Sequence, residues 1–345
     1  MLNCRQLAIL GGVTAAAVVA AVALSGDPAR HVAAGAGQPM FPELKTKAND
    51  AATLVVEGKT AKATVVRGAD GTWTVAEKGG YPADAALVRK NVLGLVGMKA
   101  VEPKTAVPDL HSRLDLADLD KKDSKAKRLV LKDTAGKDLA ALLVGKTKIA
   151  TTTDKPGLLY VRRPGEPQTW LAEARLDVAA DPLTWLEKEM PQAKRERVKS
   201  VTVVHPDGKT VAATRADAKT DEFQAAGLPE GAKPNQSEIN SLGGALAFPS
   251  FDDVAKADTV AFDKAVKTII ATFDGLQLTV SIATKDGKAW ARFEAAVDAG
   301  AADAQKTEAK RIADRFAPWA YQLSEFQAKS LTKRPEDLIE KAEKK

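Results

Sequence analysis

From Ala51 onward, apolar and polar residues alternate with period two, give way to helical spacing, and then alternate again. Residues 53–57 and 60–67 read as strands, Ala69-Asp70-Gly71 as a turn, and 72–76 as a returning strand that carries Trp73. Pro82 suits the opening of a helix, and Asp84 suits its first turn beside the positive end of the dipole. Val88, Val92, Leu95 and Val96 then share one helical face, and Glu102-Pro103 is expected to stop the helix. A charged connection, 107–127, follows with Leu110, Leu114, Leu116 and Leu119 as short anchors.

Alternation resumes at 128–132 and 138–144 around Asp133-Thr134-Ala135-Gly136, and at 158–162 and 169–173 around Pro164-Gly165-Glu166-Pro167. Asp181-Pro182 begins a short helix with Trp185 that ends near Met190-Pro191. The order then restarts. Strands at 200–205 and 209–215 flank Pro206-Asp207-Gly208, and a helix from about Ser237 carries Ile239, Leu242 and Leu246 to a stop at Phe248-Pro249. Strands at 267–273, 276–284 and 288–296 follow, then a helix pair, 308–316 and 319–330, broken at Pro318. Pairs of hairpin and striped helix bury one sheet face and leave the other wet. The expected fold is therefore α+β: two similar lobes, 51–197 and 198–345, each an antiparallel sheet covered by helices.

The amino-terminal part has no such period. Residues 7–24, from Leu7 to Leu24, are uncharged and follow Arg5. As a helix they reach about 27 Å, close to the hydrocarbon core of a bilayer. The positive flank puts the amino terminus in the cytoplasm and the bulk of the chain outside. The length favours a retained anchor; the small residues Ala21-Val22-Ala23 and Ser25 also fit a cleaved signal peptide. Residues 25–50, rich in Ala, Gly and Pro up to Ala48, read as a flexible linker.

Composition narrows the function classes. The net charge of +6 is spread over interleaved Lys and acidic residues, without the clustered stripe that binds nucleic acid. The single cysteine, Cys4, excludes an intrachain disulfide and a cysteine zinc site, and it precedes the apolar run, where a lipoprotein cysteine would follow it. His31, His111 and His205 are far apart and read as surface residues; no metal site or cofactor is expected. No Gly-x-Ser-x-Gly elbow and no Walker-type loop occurs. Asp252-Asp253 and Glu336-Asp337 read as solvated or helix-start carboxylates. Gly243-Gly244 inside a helical pattern points to close packing of that helix. Trp73, Trp170 and Trp290 follow turns and read as plugs of their hairpins, with an aromatic ligand platform as the functional reading. Tyr160 with Arg162 and Arg163 is the candidate contact site for an anionic ligand or partner, against the simpler reading of a charged edge strand.

Several stretches together resemble a known family. They are Thr72-Trp73-Thr74-Val75, Tyr81-Pro82-Ala83-Asp84 with its helix, Leu129-Val130-Leu131-Lys132-Asp133, Leu142-Leu143-Val144-Gly145, Leu159-Tyr160-Val161-Arg162-Arg163 and Thr169-Trp170-Leu171. The chain resembles the bacterial domain of unknown function 4340 family over roughly 51–260. It departs at Ser112-Arg113-Leu114, where the family often has a glycine before the leucine. The resemblance implies a single-span protein of the inner membrane facing the periplasm, often encoded beside gliding-motility-type ABC transporter genes. It implies no catalytic residues. The expected function is thus non-enzymatic: a membrane-tethered binding or scaffold protein, accessory to an ABC-type transport or envelope system. Its partners would be lipid through 7–24 and ABC transporter subunits. The alternative is an envelope hydrolase or polymer-modifying enzyme with a cleft between lobes.

Overall fold

Alternating stretches bounded by Gly- and Asp-bearing turns pair with their sequence neighbours, and two antiparallel sheets result. The computed structural model describes residues 36–148 and 156–340. The first sheet holds β1 (Ala51–Glu57), β2 (Lys62–Arg67), β3 (Trp73–Val75), β4 (Tyr81–Pro82), β5 (Lys99–Pro103), β6 (Lys127–Asp133), β7 (Asp138–Lys148), β8 (Gly157–Arg162) and β9 (Thr169–Ala174). Its order is β4-β3-β2-β1-β6-β7-β8-β9-β5. The second holds β10 (Val198–Val204), β11 (Thr210–Thr214), β12 (Gln224–Ala226), β13 (Asp253–Lys256), β14 (Val266–Thr272), β15 (Leu276–Lys285), β16 (Lys288–Val297) and β17 (Trp319–Gln322). Its order is β12-β11-β10-β14-β15-β16-β17-β13. Apart from the two-residue β4, the strands of the two sheets correspond one to one in chain order and in position.

The helices are α1 (Leu44–Lys47), α2 (Ala85–Val96), α3 (Gln236–Leu242), α4 (Asp303–Phe316) and α5 (Glu325–Leu331). Asp84 caps α2 by accepting from the amides of Ala86 and Leu87, and Asn235 caps α3 by accepting from Glu238. Val88 and Leu95 of α2 are buried as their spacing predicts, with Val92 and Val96 packed on the same core. One hydrophobic core runs through both lobes. Smaller clusters lie on the far faces: the 107–127 connection covers the first sheet with Leu116 and Leu114 against Leu143 and Tyr160, and Val260 and Phe262 cover the second beside Ala283.

Several expectations are corrected. Pro82 lies in β4 and Asp84 alone caps the helix. Glu102-Pro103 belongs to β5, which pairs with β9, so α2 ends earlier, at Val96. Residues 319–322 form a strand, because Tyr321 and Trp319 pair with Val254 and Lys256 of β13. Asp181-Pro182 opens only one turn of 3-10 helix, Pro182–Trp185. The linker is shorter than its composition suggests. Met40 and Leu44 are buried in the core, and Gly37 and Met40 donate to the carbonyls of Ala100 and Met98 along the free edge of β5. The apolar run 7–24 and the linker up to residue 35 lie outside the described residues. Among the described residues no helix is long and apolar enough to cross a membrane.

Candidate functional site

Where the lobes meet, short loops of the first present side chains to an edge of the second. Tyr81 of β4 sits edge-on to Trp319, with ring centroids 4.9 Å apart at 79°, and also meets Phe251 at 6.0 Å and Tyr321 at 6.1 Å. Tyr321 continues the stack to Phe293 at 5.6 Å. T-shaped contacts set the positive ring edge against a negative face, which adds to the area these rings bury. Cations close the rim: Lys256 Nζ lies 3.8 Å from the Trp319 ring centroid and Lys188 Nζ 4.7 Å from that of Phe251. Lys78 of the first lobe pairs with Asp253 of the second at 2.6 Å.

The electrostatics follow from this packing. Burial raises the phenol of Tyr81, and raises that of Tyr321 further. Burial lowers Lys188, against the opposing pull of Asp181, Asp253 and Asp252. The connection between lobes is clamped onto α4 by charge. Burial works against ionisation of Glu189, but hydrogen bonds and charge from Arg311 and Arg315 outweigh it and hold its carboxyl below the ordinary value. Arg197 bridges Glu308 and Asp274, each at 2.9 Å, and Glu308 raises its guanidinium.

The residues singled out from sequence are put to other use. Arg162 is buried. Its Nη2 donates to Asp118 at 2.5 Å and to the Leu116 carbonyl at 3.2 Å, and its Nη1 to the Glu166 carbonyl at 3.1 Å. Arg163 donates to the Met40 carbonyl at 2.5 Å and lies over Phe41. Tyr160 packs in the far-face cluster, with Lys148 above its ring at 5.7 Å. All three therefore pin the 107–127 loop and the amino-terminal segment to the first sheet, and both guanidinium groups are engaged within the chain.

His111 and His205 are buried, a correction to the surface reading. Their Nε2 atoms lie 2.8 Å from the Pro167 carbonyl and 3.2 Å from that of Lys333. His31 lies outside the described residues. Trp73 and Trp170 pack on the main core and Trp290 on the smaller cluster beside Ala283, as plugs do. No group of three His, Cys, Asp or Glu among the described residues is placed to hold a metal. Sequence reasoning missed the seam because Tyr81, Phe251 and Trp319 are far apart in the chain. The one available signal was the density of aromatics between 316 and 326.

The model of the family called Domain of unknown function (DUF4340) matches residues 73–265. The match covers more than half of the chain, and the chain belongs to that family. It begins in the first lobe and ends inside the second. No curated protein matches the chain.

Proposed function

We propose that this chain is a non-enzymatic scaffold: two copies of one α+β unit, joined as a single body and held on the periplasmic face of the inner membrane by residues 7–24. There it acts as an accessory of an ABC-type transport or envelope system. The filled seam carries the reading. An envelope hydrolase working between lobes needs an open cleft, and that space holds Tyr81, Phe251, Trp319 and Tyr321. Surface features suit a binder as well. Phe248 and Phe326 are 93% and 83% exposed on neighbouring segments, tied where Gln327 accepts from the Ser250 amide and donates to the Ala245 carbonyl. Met40 and Leu44 pack in the core beside the first lobe, and tethering to the bilayer would hold the body at high effective concentration near membrane partners.

The duplication reading is supported beyond strand order. Each lobe begins with a turn of 3-10 helix, Ala48–Asp50 or Arg195–Arg197, directly before a first strand that carries a register shift at its second residue. Each ends with a second such turn, Pro182–Trp185 or Pro335–Leu338, whose last carbonyl accepts from the residue capping the lobe's helix: Asp84 from one, Asn235 from the other, both at 2.8 Å. In-cell crosslinking of the full-length chain, followed by identification of the partners, tests the scaffold reading. The expected product contains a transporter subunit. Turnover of an envelope polymer by the purified chain, with no transporter subunit captured, would overturn it.

A further inference from the structure

We propose that the second lobe touches the lipid bilayer through the side chains of Phe248 and Phe326. The proposal rests on the membrane-tethered reading above and adds to it a second lipid contact, remote in the chain from residues 7–24.

The first lobe shows what the repeated unit needs in order to fold. There Gly97 and Met98 alone lead from α2 to β5, and residues 175–181 lead from β9 to the closing 3-10 turn without a helix. The second lobe departs at both places. Its helix α3 is shorter, and a longer connection, residues 243–252, leads to β13. Residues 323–334, with α5 among them, lead from β17 to the closing turn. Phe248 lies in one of these additions and Phe326 in the other. Gln327, itself buried, ties them together: it accepts from the Ser250 amide at 3.2 Å and donates to the Ala245 carbonyl at 3.3 Å. Two features peculiar to the second lobe thus converge on one place, and the first lobe folds with neither.

Each addition presents one aromatic ring that the core does not use. Phe248 is 93% exposed and Phe326 83%, whereas the other phenylalanines are all buried or half-buried. Large apolar rings left in water on joined segments mark a contact site. Rings this bare touch almost nothing of their own chain, so they protrude. A protein interface seals its anchors with a surrounding rim that excludes water, and rings standing this clear of their own surface have no such rim. A bilayer needs none, because headgroups and acyl chains close round each ring.

The backbone beneath the rings suits that boundary. Ser324 caps α5 by accepting from the Gln327 amide, Gln327 holds the Ser250 amide, and Pro249 has no amide proton to satisfy. Charge does not oppose the approach. Glu325 is paired with Lys329 at 2.6 Å, and Ala193 donates to the Leu246 carbonyl, which lays the connection bearing Lys194 alongside the Phe248 segment. Reach suffices as well. Residues 25–35 separate the apolar run from the first described residue, and even fully extended they span only about 40 Å, so the tethered body stays beside the bilayer.

Photo-crosslinking of the full-length chain in bacterial cells tests this, with p-benzoylphenylalanine placed in turn at Ala16, Lys122, Phe248 or Phe326. The mass of each adduct tells lipid from protein. A phospholipid adduct is expected at positions 16, 248 and 326, and none at 122, an exposed position on the far face of the first lobe. Phe248→Ser should lower the lipid yield at 326 severalfold, and Phe326→Ser that at 248. Both rings are exposed, so the serine variants leave the core intact. An adduct at 248 and 326 to another protein or to a second copy of the chain in place of lipid, no adduct at either, or lipid yields that the serine changes do not alter would each overturn the proposal. The probe at position 16 separates the two readings. Lipid there but not at 248 and 326 sinks the second contact alone; lipid at 248 and 326 but not at 16 sinks the tether and leaves the contact standing.

Discussion

Arg67 and Arg215 hold matching carbonyls in the two lobes. Each directly follows the residue paired with the third position of its lobe's first strand, Val66 with Thr53 and Thr214 with Ser200. Arg67 Nη1 donates to the Asn49 carbonyl at 3.2 Å, and Arg215 Nη2 to the Glu196 carbonyl at 2.6 Å. Both acceptors lie two residues before the first strand, so one arginine in each lobe ties the entering turn to the second strand. The environments differ. Arg67 is exposed, whereas Arg215 is buried, stacks on Phe223 and Phe273, and also serves the carbonyls of Val198, Thr220 and Arg195.

That asymmetry predicts unequal mutants. Arg215→Ala leaves several carbonyls without a donor in a buried place and should cost about 3–5 kcal/mol, as loss of one partner from a buried charged network does. Arg67→Ala should cost under about 1 kcal/mol. Urea unfolding of both variants measures the difference; equal losses would contradict the buried role of Arg215.

Three glycines mark close contacts, two with backbone carbonyls and one with a ring. A Cβ on Gly145 would stand 2.1 Å from the Leu114 carbonyl oxygen, one on Gly94 2.2 Å from that of Arg175, and one on Gly243 2.4 Å from the Phe223 ring. Alanine at any of these should destabilise by about 1–3 kcal/mol through overpacking. Gly244, whose added Cβ would meet nothing nearer than 3.7 Å, is the control. Gly244→Ala should be neutral or stabilising by up to about 1 kcal/mol. Thermal midpoints of the four variants check the ranking.

The Tyr321 hydroxyl is buried at the seam without a well-formed hydrogen bond, and Tyr81 is the phenol it interacts with. Removing an unsatisfied buried hydroxyl while keeping the ring should be neutral or stabilising by about 1 kcal/mol. Tyr321→Ala, which empties the centre of the aromatic stack, should cost about 3–5 kcal/mol. Denaturant midpoints of Tyr321→Phe and Tyr321→Ala separate the ring's contribution from the hydroxyl's.

The charge clamp on α4 predicts a pH dependence. Glu189 and Asp274 both have carboxyls lowered in the folded chain, from ordinary values of 4.5 and 3.8. A lowered folded value means stability that is fully present above the unfolded value and is lost as pH falls through the folded one. Stability should therefore hold from neutrality to about pH 5 and decline below about pH 4. In Glu189→Gln the decline should be shallower. Because both carboxylates are partly exposed, salt should weaken the effect. Stability measured against pH at low and high salt tests the sign.

Much of the sheet was legible because its information is local. Strands such as β1, β2, β10 and β15 are alternating runs closed by Gly- or Asp-bearing turns, and a hairpin needs nothing more distant. The apolar stripe of the helix after Asp84 was legible for the same reason, though its cap was not: Asp84 was expected inside the first turn and stands just before it. Short edge strands were not. β12 and β13 carry three and four residues, too few for a period to show, and each exists because a partner strand is already in place. Trp319 to Gln322 looked helical beside α4 and became a strand because β13 and β16 flank it. Arg162 and Arg163 at the end of β8 were legible as charged positions, but their direction was not: Arg162 turns inward to a loop some forty-five residues earlier.

By itself, then, the sequence determined two rounds of antiparallel hairpins with a striped helix each, one uncharged apolar run near the amino terminus, and no motif for metal or nucleophilic chemistry. Those features rest on spacing, turn residues and residue type, which act over a few positions. Tertiary structure decided the rest: that Tyr81 meets Trp319, that residues 37–40 edge the sheet at β5, and that Gln327 ties together the segments carrying Phe248 and Phe326. Those relations join positions dozens to hundreds of residues apart, and only the packing of two completed sheets brings them into contact.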